Sequence, residues 1–140
     1  MNYWIFQSVP ERYDLREEAN LHDGLEGWWH ATRYRTRMSP GDLVYFWMGG
    51  SESIRGIYGW GRISSAPYEK GSGFRVEVRV AKRLPNHIPI ELIRSNPELG
   101  NLMILHMAIG SNFLINQPEA EAIRKMLPRD LQPEGGNNGQ

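Results

Sequence analysis

The sequence predicts a small α+β protein built around a curved sheet or partly closed barrel with short flanking helices, and three observations predict it. Five or six segments have strand length and strand-like composition, glycine and proline punctuate them regularly, and helical periods are few and short. The chain has 140 residues, the size of one compact domain, and 40% of them are hydrophobic, enough for one core. One domain is expected over residues 1–128. A disordered tail is expected over 129–140, where Gln, Pro, Gly and Asn prevail and cannot bury a core.

The first strand is expected over Tyr3–Gln7, an aromatic and β-branched stretch that suits a pleated, buried strand and is ended by Pro10. Residues 11–20 mix charges with Tyr13, Leu15 and Ala19, which predicts a short amphipathic helix, broken by glycines between Asp23 and Gly27. Pro40, Gly41 and Asp42 form a turn before Leu43–Met48, an apolar and aromatic strand that Gly49, Gly50 and Ser51 close. Its return partner is expected over 54–65, where Gly56, Gly59 and Gly61 mark bends or places of close approach. Phe74, Val76, Val78 and Val80 alternate with Arg75, Glu77 and Arg79, the period of a half-exposed strand. Three prolines between Leu84 and Pro97 predict a loop around a short helical turn, and residues 99–109 begin helical before turning. Gly110, Ser111 and Asn112 make a second turn, with Phe113–Ile115 short and extended after it. Asn116 and Glu119 fit a capping box with Pro118 in the first turn. Ala120, Ile123, Met126 and Leu127 then line one face of a final helix.

Several function classes are excluded or disfavoured. Sixteen Lys and Arg balance sixteen Asp and Glu, so nucleic-acid affinity has to come from a local patch or pocket rather than from net charge. Without cysteine there is no disulfide, no thiolate nucleophile, no Cys-ligated zinc and no zinc-type base deamination. His22, His30, His87 and His106 have no metal-ligand spacing, so neither metal nor cofactor is expected. Ser51 and Ser53 lack the frame of a nucleophile elbow, and Gly59 with Gly61 lacks the third glycine of a dinucleotide fingerprint. Glu17 with Glu18 and Glu119 with Glu121 suit solvated helix faces, so the chain is expected to bind rather than catalyse. No apolar run reaches membrane-spanning length and the start lacks a signal-peptide layout, which makes the cytoplasm the expected compartment.

The aromatic residues carry the positive signal. Trp28, Trp29, Tyr34, Tyr45, Trp47 and Trp60 gather in the first half of the expected barrel. Each can simply be core, since large rings dominate core burial. The sharper reading is that two or three line a cage, because a flat heterocycle is held best by stacking on rings. Gln7, Ser8, Ser111 and Asn112, at strand ends and turns, are candidates to read the edge of a base, with turn formation as the alternative for each. Arg33, Arg35 and Arg37, with Arg12 and Arg55, either contact phosphates or form a solvated face balanced by Glu11, Glu17 and Glu18.

Tyr3-Trp4-Ile5-Phe6-Gln7, then Arg12-Tyr13-Asp14, the Trp-led segment ending in Pro40-Gly41-Asp42, Val44-Tyr45-Phe46-Trp47, Gly56-Ile57-Tyr58-Gly59-Trp60-Gly61 and Gly110-Ser111-Asn112-Phe113 together resemble the EVE domain family. The resemblance spans about residues 2–127. It implies a PUA-like pseudo-barrel, related to the YTH domains that hold N6-methyladenine in a tryptophan cage, with modified cytosines in DNA among the proposed ligands. Carried onto this chain, it implies a base-binding site of Gln7, Ser8, Trp28 or Trp29, Trp47, Ser111, Asn112 and Phe113. The doubled tryptophan departs from the family pattern and leaves the first wall open between Trp28 and Trp29.

The leading expectation is a reader that draws a modified base from DNA or RNA into this cage. One alternative is an enzyme that processes a small nucleotide or cofactor with carboxylates the sequence does not pair. Another is an adaptor whose exposed aromatics bind a protein effector.

Overall fold

A computed structural model of the protein describes residues 1–134. Among the described residues the strands are β1 (Tyr3–Ser8), β2 (Glu26–His30), β3 (Leu43–Met48), β4 (Gly56–Ile63), β5 (Tyr68–Lys70), β6 (Gly73–Pro89) and β7 (Asn112–Ile115). They make one curled sheet in the order β2-β6-β4-β3-β1-β7, with β5 paired to the start of β6. β1 runs parallel to β3, and every other pair is antiparallel. The helices are short: α1 (Ile90–Arg94), α2 (Met103–His106) and α3 (Gln117–Met126).

All six residues of β3 are buried, because this central strand is covered on both faces. Side chains alternate across a strand. Leu43, Tyr45 and Trp47 therefore join Ile5, Ile93 and Ile123 in the layer beneath α1 and α3. Val44, Phe46 and Met48 join Trp4, Phe6, Val76, Val78 and Val80 on the other face. That second face lines the hollow of the curl. The turn before β3 is pinned by the Asp42 carboxylate, which accepts from Trp4 Nε1, Asn2 N and Ser39 N, each at 3.0 Å.

Tight curling follows from the glycines of β4. A Cβ at Gly59 would stand 2.5 Å from Lys82 O, and one at Gly61 would overlap Arg79 O, so β6 can press onto β4 only where side chains are missing. Pairing shifts register at both places. The capping box at the start of α3 is present as expected: Asn116 Oδ1 accepts from Glu119 N at 2.8 Å and Glu119 Oε1 accepts from Asn116 N at 3.0 Å.

Three expectations are corrected. Residues 11–20 form turns with a single 3-10 turn at Glu18–Asn20. Asp14 there accepts from Arg16 N at 2.9 Å, a local side-chain bond that competes with helix, while Leu15 and Leu21 plug the hollow. The loop expected from Leu84 is instead the last part of β6, which continues to Pro89 and pairs Ile88 with Ile57. Residues 129–134, expected as tail, pack on the domain: Trp60 Nε1 donates to Leu131 O at 2.7 Å and Arg124 Nη1 to Gln132 Oε1 at 2.7 Å. The remainder of the expected tail lies outside the described residues.

Candidate functional site

The two ends of the curled sheet, β2 and β7, do not pair as strands. One side chain bridges them. Asn112, at the start of β7, donates from Nδ2 to His30 O at 3.0 Å and accepts at Oδ1 from Thr32 N and Thr32 Oγ1, both at 2.9 Å. Beside this clasp the seam opens into a pocket of about 650 Å³, within the range of small-ligand sites. Its walls come from the end of β1 (Gln7, Ser8) and Val9 after it, from Arg12, Tyr13, Asn20 and Leu21, from β2 (Gly27 to His30), from Val78 and Val80 of β6, and from Ala108–Ser111.

Its aromatic wall is a corner rather than a sandwich. Trp29 points into the hollow and stacks on Phe46, with ring centroids 5.5 Å apart and planes at 28°. Tyr13 meets it edge-on at 6.1 Å and 82°. One indole face is thus backed by the core, and the phenol stands across it. Burial pushes the Tyr13 hydroxyl above its ordinary pKa.

The polar residues of the rim are partly committed to building it. Gln7 Nε2 donates to Ala108 O at 3.0 Å and Gly110 O at 2.7 Å, and Gln7 N donates to Ser111 O at 2.8 Å, which together hold the loop before β7 against the end of β1. Ser8 Oγ donates to Tyr13 O at 2.7 Å and fixes the segment that carries the phenol. Ser111 borders the opening, as does the apolar Ile109, 83% exposed at the lip.

Of the residues expected at the site, Gln7, Ser8, Trp28, Trp29, Ser111 and Arg12 border this pocket. Trp28 and Trp29 are consecutive on a strand and so face opposite ways. The Trp28 ring lies on the outer face, with the Arg75 guanidinium 3.6 Å above it, and cannot be the second wall. Trp47 is corrected to core: it is fully buried on the far face of β3, and its Nε1 has no partner among the described residues. Phe113 is core on that same side, and Asn112 is the clasp rather than an edge reader. Arg33, Arg35, Arg37 and Arg55 do not border the pocket. Arg35 lies 4.0 Å over the Phe74 ring, and Arg55 pairs with Glu52 at 3.8 Å. Tyr13 and Ile109 were missed as wall and lip. Tyr13 had a signal in the Arg-Tyr-Asp triplet just after Pro10, whereas Ile109 had none beyond an apolar residue at a glycine turn.

A curled mixed sheet, few short helices and a pocket at the seam make this a PUA-like half-barrel. The model of the EVE domain matches residues 2–126, and the chain belongs to the EVE domain family. Among solved structures, a hypothetical protein from Leishmania major has a TM-score of 0.75 at 18% identity, with 90% of this chain and 94% of that chain covered. Human THYN1 in complex with 5-methylcytosine-containing DNA has a TM-score of 0.72 at 14% identity, with 90% and 97% covered. A protein from Pseudomonas putida has a TM-score of 0.70 at 20% identity, with 86% and 96% covered. No curated protein sequence matches the chain.

Proposed function

We propose that this protein is a nucleic-acid-binding module that takes one modified base, a 5-methylcytosine of DNA in the first instance, into the seam pocket. The observation that carries the reading is the open pocket walled by Trp29 and Tyr13 beside the free edge of β2. The structural likeness to human THYN1, whose complex contains 5-methylcytosine DNA, supports the choice of ligand. A base entering the corner lies on the exposed face of Trp29 with Tyr13 across its end, and Leu21, Val78 and Val80 form an apolar floor. Stacking of this kind contributes about 1–3 kcal/mol per base, which has to exceed the few kcal/mol needed to unstack the base from a duplex. Arg12 at the rim suits a phosphate beside the extruded nucleotide. No Asp or Glu borders the pocket among the described residues, which favours binding over carboxylate catalysis.

Titration of matched oligonucleotides tests the reading. Wild type is expected to bind DNA carrying one 5-methylcytosine more tightly than plain DNA, with RNA carrying the same base as a parallel arm. Trp29→Ala is expected to lose about fivefold or more in affinity for the modified strand, as removal of one stacked ring implies. Equal binding of plain and modified strands by wild type and variant would contradict it.

A further inference from the structure

The pocket's side chains leave one question open, namely what hydrogen-bonds the edge of a base lying in the corner. Gln7 and Ser8 spend their donors on the protein. The free edge of β2 does not. In the ladder between β2 and β6 the bonded positions are the odd ones: Leu25 O accepts from Val80 N at 2.8 Å and Ala31 N donates to Phe74 O at 3.0 Å. Bonded and non-bonded positions alternate in an antiparallel pair, so Trp28 and His30 turn their N–H and C=O groups away from β6.

Asn112 shows which way those groups point and what fits them. Its carboxamide is planar, with a donor and an acceptor across one carbon, and it sits on His30 C=O and Thr32 N–H. One step back along the strand, Trp28 C=O and His30 N–H repeat that pair. Both residues border the pocket, and neither group has a partner among the described residues.

We propose that this main-chain pair reads the base: Trp28 C=O accepts from an N–H donor on the base edge, and His30 N–H donates to the acceptor one carbon away. The ligand class is a base with a free donor–carbon–acceptor edge. In cytosine these are the amino group at C4 and the ring N3; a methyl at C5 leaves both open, whereas a methyl at N3 blocks the acceptor. The side chains of Trp28 and His30 are incidental to this recognition, since both point to the outer face. The inference rests on the pocket being the base site proposed above.

The test uses the full chain, labelled with 15N and titrated with DNA carrying one 5-methylcytosine. The His30 amide proton is expected to move downfield and exchange more slowly, and the same DNA carrying 3-methylcytosine is expected to bind more weakly without that shift. His30→Pro lacks the N–H, and proline is tolerated on an edge strand where that group lies outside the ladder. It is expected to bind the 5-methylcytosine strand roughly three- to tenfold more weakly than His30→Ala, which keeps the N–H. Should His30→Pro fail to fold, the amide shift in wild type decides. A His30 amide that does not respond, while Trp29→Ala still loses binding, overturns the main-chain reading and leaves the pocket standing. Absence of any response at Trp29, Tyr13 and His30 overturns both.

Discussion

Three hydrogen bonds at a single carboxamide hold the ends of the curled sheet together. Asn112 is only 4% exposed, and it binds His30 O, Thr32 N and Thr32 Oγ1 on two exposed residues. Replacing it by alanine removes all three bonds and strands two main-chain groups at the seam. Asn112→Ala is therefore expected to lower unfolding stability by about 2–4 kcal/mol, read as a lower urea midpoint. An unchanged midpoint would mean the seam stays closed without the clasp. The residue type and its turn-like setting were legible in the sequence, but not its role. A buried asparagine that serves a backbone edge and one that serves a ligand present the same letter, and only the meeting of β2 with β7, more than seventy residues apart, separates them.

At the scale of elements, the strands best read from sequence are those whose pattern survives burial on one face. The first half of β6 alternates Val76, Val78 and Val80 with charged residues, and the pattern marked its inner face correctly. β3 hid its parity because Leu43–Met48 is apolar throughout and buried on both sides; Trp47 was expected in the cage, yet it is Phe46 that backs the pocket wall. Residues 11–20 misled for another reason. Helical spacing of Tyr13, Leu15 and Ala19 was outweighed by Asp14, which bonds its own neighbourhood, and by the need to bring Leu15 and Leu21 into the hollow. The β4 glycines were legible as points of close approach, and this gives a test. Gly61→Ala forces a methyl onto Arg79 O and must part β4 from β6 where the sheet turns. A stability loss of about 1–3 kcal/mol or more is expected by chemical denaturation, as for other overpacked sites. No loss would show that the curl does not depend on that contact.

Over the whole molecule, the site is a property of closure rather than of any one segment. Its walls are drawn from separated stretches of chain, and the bond from Gln7 to Gly110 alone spans 103 positions. Sequence could nominate strand-end amides and a tryptophan pair, but the choice between Trp28 and Trp29 depended on the register of β2 against β6. On the proposed reading, a chain of balanced charge binds nucleic acid through one cleft, with Arg12 at its rim, instead of through a basic surface. The pocket claim is tested most directly by intermolecular NOEs in a labelled complex with DNA carrying a single 5-methylcytosine. The methyl and H6 protons of that base are expected to show cross-peaks to the rings of Trp29 and Tyr13 and none to Trp47. Cross-peaks confined to the outer face, at the Trp28 ring and Arg75, would contradict it.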